Sequence, residues 1–191
     1  MTDPTSKAQP AVPVRQDLRD AIDRAWRHLS GPGTWWTGAQ RLNMVAEARN
    51  AAQCPLCRQR KAALSPYTVP GTHSSLGELP EVVVEVVHRL STDAGRLTEK
   101  WLQGCLEKGI TDAEYVEIVG LVATITALDT FCKAMGEPLR ALPPALTGAP
   151  TRQSPKAAKR SIAWVPTVAP QDIQPGETDP YRYGAVHIQQ A

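Results

Sequence analysis

The chain of 191 residues has few aromatics, little net charge, no long apolar run, no leader-like start and only four cysteines. A formal net charge of +2 lacks the strong basic excess of nucleic-acid and membrane-surface proteins, so neither partner is expected. The opening Met1-Thr-Asp-Pro-Thr-Ser-Lys has no apolar core of a secretory signal. The longest apolar stretch, Ile118 to Cys132, is shorter than a bilayer span and is interrupted by Thr124, Thr126 and Asp129. These absences predict a cytoplasmic protein. In a reducing compartment four cysteines do not form a disulfide framework, and a close pair serves catalysis or metal binding instead. Only Cys54 and Cys57 make such a pair. Cys105 and Cys132 sit alone in apolar helical patterns and read as small core residues. Five of the ten aromatics are tryptophan, and Trp35 and Trp36 read as packing residues.

What is present is globular: 42% hydrophobic and 21% charged residues, with a length that fits one domain plus an appendage. Residues 1–13 are polar and proline-bearing, a flexible tail. Val14, Leu18, Ala21, Ile22, Ala25 and Leu29 form a helical stripe that stops at Gly31-Pro32-Gly33. Thr37-x-x-Gln40 is a capping box that opens a second helix running to about Ala52. Pro55 suits the first position of a third helix, ending near Leu64, which puts Cys54 at its N-cap and Cys57 in its first turn. A long loop then carries Pro70-Gly71 and His73. The run Pro80 to Leu90 is rich in valine and favours a strand on propensity. Glu81, Glu85 and His88 nevertheless share one helical stripe behind Pro80, and a helix is expected. A further helix runs from about Thr98 to Lys108 and closes at Gly109. The capping box Thr111-Asp-Ala-Glu114 opens the longest and most apolar helix, to about Met135, for the core or a subunit interface.

The sequence thus predicts an all-α domain of about six helices over residues 14–137. Residues 138–191 hold nine of the seventeen prolines and read as an extended arm without a core. The closing Tyr183 to Ala191 reads as the start of a further, truncated element.

A Cys-x-x-Cys pair at the head of a helix has a clear chemical use. The helix N-terminus carries about +0.5 charge and unpaired amides, which favour a thiolate. Arg58, Arg60 and Lys61 in the next turn are expected to add positive potential. Such settings lower a thiol from about 8.5 into the range of about 3.5–7.5. The thiolate can then attack a peroxide to give a sulfenic acid, which the neighbouring thiol condenses into a disulfide. A peroxidase also needs a proton acceptor and donor. Glu47, seven residues before Cys54, would share its face if the helix were nearly continuous, against a plain solubilising role. His73 could fold back over the third helix or be a surface histidine. His88 on the Glu81/Glu85 stripe is a further base, and Glu85-x-x-His88 is half of a di-iron motif that has no partner half. A zinc site would need four ligands, yet the other cysteines are isolated and the histidines at 28, 73, 88 and 187 are scattered. No metal is therefore expected. Two inert buried cysteines are the plainest alternative.

Thr37-Gly-Ala-Gln-Arg-Leu followed by Ala51-Ala-Gln-Cys-Pro-Leu-Cys resembles the N-terminal half of alkylhydroperoxidase D-like proteins, in the carboxymuconolactone decarboxylase superfamily. Leu90-Ser-Thr-Asp-Ala-Gly-Arg-Leu-Thr, Gly109-Ile-Thr-Asp-Ala-Glu-Tyr-Val-Glu and Ala127-Leu-Asp-Thr-Phe-Cys-Lys-Ala-Met-Gly are similar to the closing helices of its peroxidase-related branch. The likeness covers about residues 34–136. It implies an alkylhydroperoxidase D-like helical bundle that forms trimers or hexamers with the dithiol near an interface. It also implies an oxidoreductase of small hydroperoxides with no cofactor, recycled by a thioredoxin-like or lipoyl dithiol. In that family Cys57 would attack and Cys54 resolve, whereas the N-cap argument favours Cys54 as the activated thiol. The family histidine four residues after the second cysteine falls on Lys61, and its glutamate twelve residues before the first falls on Leu42. Either Glu47 with His73 or His88 replaces that relay, or the chain is a non-catalytic, redox-responsive helical module.

Overall fold

A computed structural model describes residues 13–173 and residue 175. The expected tail over 1–13 and the element at Tyr183 to Ala191 therefore lie almost wholly outside the described residues. The fold is all-α, with six helices and no strand among the described residues: α1 Gln16–Ser30, α2 Gly38–Asn50, α3 Pro55–Ala62, α4 Glu81–Asp93, α5 Glu99–Glu107 and α6 Asp112–Ala134.

Both capping boxes form. Gln40 N–H donates to Thr37 Oγ1 at 3.3 Å while Thr37 N–H donates back to Gln40 Oε1 at 3.0 Å. The pair Glu114 and Thr111 repeats this at 3.2 and 2.9 Å, so both helices start with reciprocal satisfaction of orphan amides. Gly109 and Gly136 follow α5 and α6 at positive φ, 105° and 70°, where only glycine is unstrained.

Helices α2, α4 and α6 pack on one another, α1 lies against α2 and α6, and α3 lies against α4. Met44 and Val45 of α2, Val83, Val86 and Val87 of α4, and Ile118, Leu121, Val122 and Ile125 of α6 make the shared core. Here the valine-rich run is a helix. Val83, Val86 and Val87 stand at the i, i+3, i+4 spacing of one helical face, and burial of that face outweighs the strand propensity of β-branched residues. By length and hydropathy α6 reaches the range of a membrane span, but its apolar stripe is spent on the bundle core. Arg49 locks α2 to α6 through a bidentate pair with Asp129 at 2.8 and 2.7 Å. Trp36 is buried and donates its Nε1–H to Glu114 O at 3.2 Å, tying the approach to α2 onto α6.

The α2 helix ends at Asn50 and is followed by one 3₁₀ turn, Ala51–Gln53, before the chain extends at Cys54. The near-continuous helix that would have stacked Glu47 over Cys54 is thus broken, and Glu47 reaches the cysteines by another route. Beyond α6 the described arm has only one isolated bridge, Lys159 to Thr167, and a 3₁₀ turn at Pro170–Asp172. Leu146 N–H donates to Ser30 O at 2.8 Å and Arg152 N–H to Thr34 O at 2.9 Å, so the arm runs along the α1–α2 connection.

Candidate functional site

Pro55 begins α3 and leaves Cys54 at its N-cap in extended backbone, φ −66° and ψ 121°. Cys57 follows one turn inside. Both thiols point inward with Leu56 and Val69 about them, and they are 0% and 3% exposed. Two imidazoles close on them from separate elements. His88 stands on α4, on the face packed against α3, with its Nδ1 3.2 Å from Cys57 Sγ. His73 comes from the long connection between α3 and α4, with its Nδ1 3.5 Å from Cys54 Sγ and 3.4 Å from Cys57 Sγ. The two rings lie 4.4 Å apart at 57°.

Each ring is held from behind by a carboxylate. His88 Nε2 is 2.7 Å from Glu47 Oε1, and His73 Nε2 is 2.8 Å from Glu85 Oε2. An ionised carboxylate only accepts, so both Nε2 atoms carry hydrogen and both Nδ1 atoms face sulfur. Glu47 is itself fixed by Asn50 Nδ2 at 2.8 Å and by Leu76 N–H at 2.9 Å. Glu85 takes Arg60 Nη1 at 2.9 Å and Trp101 Nε1 at 2.9 Å. The connection that carries His73 is thereby pinned to α2 at three successive residues, because Asn50 Nδ2 also donates to Ser74 O at 2.6 Å and Ser75 Oγ to Glu47 Oε2 at 3.5 Å.

The charges follow from these partners. Burial alone would push the Cys57 thiol up, but hydrogen bonds from His73 and then His88, with the charge of both rings, bring it down to about 6. Burial likewise opposes ionisation of Cys54, and the backbone N–H of Cys57, His73 and the N–H of Ser74 lower it. Burial would discharge His73, yet Cys57, Glu85 and Cys54 hold it protonated up to about 10. His88 is raised in the same way against burial by Cys57 and Glu47. Glu85, despite burial, is held down to about 2 by His73, Trp101 and Arg60. Glu47 is lowered against burial by His88, Asn50 and Leu76. In contrast burial, with the Glu85 charge, lifts Cys105 to about 11, the state of an unreactive core thiol.

The sign of the pH effect is fixed by these directions. The depressed Cys57 thiol stabilises the fold above its unfolded value, and that contribution is lost as pH falls through about 6. The raised His73 contributes below its unfolded value, and its contribution is lost as pH rises through about 10. The thiolate–imidazolium pair is therefore intact between about 6 and about 10. Thiolate absorbance of the reduced, metal-free protein should persist through neutral pH and fall only near pH 6. A midpoint near that of an ordinary thiol, about 8.5, would overturn the assignment.

Some expectations need correction. The side chains of Arg58, Arg60 and Lys61, expected to supply positive potential, make no contact with the thiols: Arg58 donates to Gln53 O at 2.8 Å, Arg60 turns to Glu85 and Val69 O beside the far side of the His73 ring, and Lys61 is exposed. The two imidazoles, rather than those cations, depress Cys57. The scatter of histidines, taken as an argument against a four-ligand site, also fails in space. The ligand atoms of Cys54, Cys57, His73 and His88 all lie within 4.8 Å of one another. Glu85, Trp101 and Asn50 are parts of the site that the sequence does not announce, and Arg60 belongs to it as the partner of Glu85 and not as a cation beside the thiols. The one signal for Glu85 was its place three residues before His88 on a common helical stripe.

His28 stands outside the cluster, beside Arg41 and Glu117. The surface cleft lined by Leu102, Tyr115, Val116 and Trp164 also shares no residue with the cluster. The site is thus a buried dithiol flanked by two carboxylate-backed imidazoles, able to store and move protons at sulfur or to ligate a soft cation. No family model matches the chain, and no curated protein or solved structure matches it.

Proposed function

We propose that the protein is a dithiol peroxidase acting on small hydroperoxides, with Cys57 as the attacking thiol and Cys54 as the resolving one. The observation that carries this reading is the buried chain from Cys57 Sγ through His88 to Glu47, with steps of 3.2 and 2.7 Å. It joins a nucleophile, a proton-transfer group and an orienting carboxylate, the arrangement that activates nucleophiles generally. The resemblance to alkylhydroperoxidase D-like proteins points to the same chemistry. Here Glu47 and His88 offer a relay at other positions than the family's, which Leu42 and Lys61 occupy.

In the first step the Cys57 thiolate attacks the distal peroxide oxygen. An S–O bond forms, the O–O bond breaks, and the departing alkoxide takes a proton from the His88 imidazolium. Glu47 keeps that ring oriented and favours its protonated form, which makes Glu47 a positioning residue. The Cys54 thiolate then attacks the Cys57 sulfenic sulfur. A disulfide forms, and the leaving hydroxide takes a proton from His73 to depart as water. Both sulfurs are within 4.8 Å, so a modest approach brings them to the bonded distance of about 2.05 Å. An external dithiol of thioredoxin-like or lipoyl class supplies two electrons and two protons to restore the thiols.

Burial sets the substrate class. With both sulfurs covered by Leu56, Val69 and the His73 connection, hydrogen peroxide and short alkyl hydroperoxides fit the reading better than bulky lipid peroxides. The test uses the reduced, metal-free chain. One equivalent of hydrogen peroxide is expected to link Cys54 to Cys57 in a peptide mass map, and excess dithiol to sustain peroxide consumption. Two free thiols after that equivalent would end the proposal; a disulfide without sustained consumption would leave only a redox-responsive module.

A further inference from the structure

The peroxidase reading gives each imidazole a proton to deliver, but it does not require both rings to face the same pair of sulfurs through the same atom. Two thiols and two imidazoles meet at one buried point, and each imidazole presents the same atom, Nδ1, to sulfur. Moreover His73 Nδ1 is almost equidistant from both sulfurs, 3.5 and 3.4 Å. One N–H cannot point at both sulfurs at once, so a single hydrogen bond does not account for the second approach. The near-equidistant position is the natural one for a vertex of a tetrahedron.

We propose that Cys54, Cys57, His73 and His88 form a zinc-binding site, and that the zinc-bound and peroxide-reactive states exclude each other. Zinc holds thiolate at about 2.3 Å and imidazole at about 2.0–2.1 Å. Tetrahedral geometry then places a sulfur and a nitrogen on the same ion about 3.6 Å apart. Three of the four sulfur–nitrogen separations, 3.2, 3.4 and 3.5 Å, lie within a few tenths of that value, and the fourth, Cys54 to His88, is bounded by 4.8 Å. All four ligand atoms fall inside 4.8 Å, with Cys54, Cys57 and His88 buried and His73 half-buried.

The outer contacts fit as well. Metal-bound histidines ordinarily pass their second ring hydrogen to a carboxylate, which fixes the tautomer and aims the free lone pair at the ion. Glu85 does this for His73 at 2.8 Å and Glu47 for His88 at 2.7 Å. Each carboxylate is anchored in turn, Glu85 by Arg60 and Trp101, Glu47 by Asn50 and the Leu76 amide. Two thiolates neutralise the dication within the ligand shell. Four protein ligands with no open position describe a closed site that stores or senses metal and does not activate water.

The second half of the proposal rests on the peroxidase reading. A hydroperoxide oxidises the pair only as the sulfurs come off the ion, removing two electrons from the two thiolates. The S–S bond forms as the O–O bond breaks, two protons are taken up to give alcohol and water, and Zn²⁺ leaves because its sulfur ligands are gone.

The experiment titrates the reduced, chelator-stripped full chain with Co²⁺ and then Zn²⁺. One equivalent per chain is expected, with the intense visible bands of tetrahedral cobalt and a thiolate-to-cobalt charge-transfer band, both abolished when Zn²⁺ displaces Co²⁺. The mild variant Glu85→Gln should weaken zinc affinity about 10–100-fold while retaining the helical circular dichroism. Zinc-loaded protein should form the disulfide at least about tenfold more slowly than stripped protein, with free zinc appearing in step with it. No uptake by the wild type, or the pale spectrum of octahedral cobalt, would overturn the site. Zinc release not tied to disulfide formation would overturn the exclusion. Stripped protein that binds zinc but consumes no peroxide would sink the peroxidase reading and leave the metal site standing; turnover without zinc uptake would do the reverse.

Discussion

Replacing Cys57 with serine lowers dithiol-dependent peroxide consumption by the stripped protein more than about 100-fold, to near the uncatalysed rate. The serine hydroxyl keeps the hydrogen bond to His88 but is not ionised near neutral pH, whereas the thiol it replaces titrates at about 6. Replacing Cys54 has a different signature. Attack on peroxide still occurs, but the sulfenic acid on Cys57 then has no partner within the chain and accumulates, where a carbon nucleophile such as dimedone captures it. The two variants together decide the order of attack. Turnover lost in both, with capture of a sulfenic acid only on Cys54, would reverse the assigned roles. That outcome would favour the helix N-terminus over the paired imidazoles as the activating influence. The geometry favours the imidazoles, because Cys57 faces both rings and Cys54 only one.

The second large effect is on stability. Glu47 and His88 are both 0% exposed, so removing one strands the other. Glu47→Leu is expected to cost about 3–5 kcal/mol in urea unfolding of the stripped, reduced protein. Part of this loss comes from His88 left without its acceptor, and part from the Leu76 amide and Asn50 losing theirs. The double variant Glu47→Leu/His88→Leu should recover most of it, since an apolar pair of similar volume removes the burial cost of both charged groups. Losses that simply added would show that the two side chains act independently, against the 2.7 Å hydrogen bond between them. The recovered double variant should still be inactive towards peroxide, which separates the pair's chemical use from any contribution to folding.

The helices were open to reading because their signals are local. Thr37 with Gln40 and Thr111 with Glu114 are complete capping boxes within four residues, and Pro55 and Gly109 mark ends by backbone geometry alone. The α4 run is harder: its valines argue for a strand, and only the common stripe of Glu81, Glu85 and His88 with Pro80 as a helix start argues otherwise. The cluster was legible in its members and not in its arrangement. Cys54 and Cys57 announce themselves by spacing. His73 and His88 are fifteen residues apart on a connection and a helix, and no spacing rule states that both meet the same thiols. Glu47 was singled out on the premise of helix continuity, but its actual link to Cys57 runs through His88. Arg60 illustrates the opposite failure. Proximity in sequence placed it beside the thiols, while its side chain turned to a carboxylate on the neighbouring helix.

The cluster draws on two kinds of support. Cys54, Cys57, His88 and Glu47 belong to packed helices or their caps, whereas His73 arrives on an exposed connection held at Ser74 and Leu76 by Asn50 and Glu47. A brief opening of that connection would withdraw one imidazole and uncover the sulfurs without unfolding any helix. The opening rate of the connection over residues 63–80 would then set how long an ion stays captive and how soon an oxidant is admitted. The same carboxylate that orients His88 fastens this connection, so a change at Glu47 alters residence times as well as proton transfer.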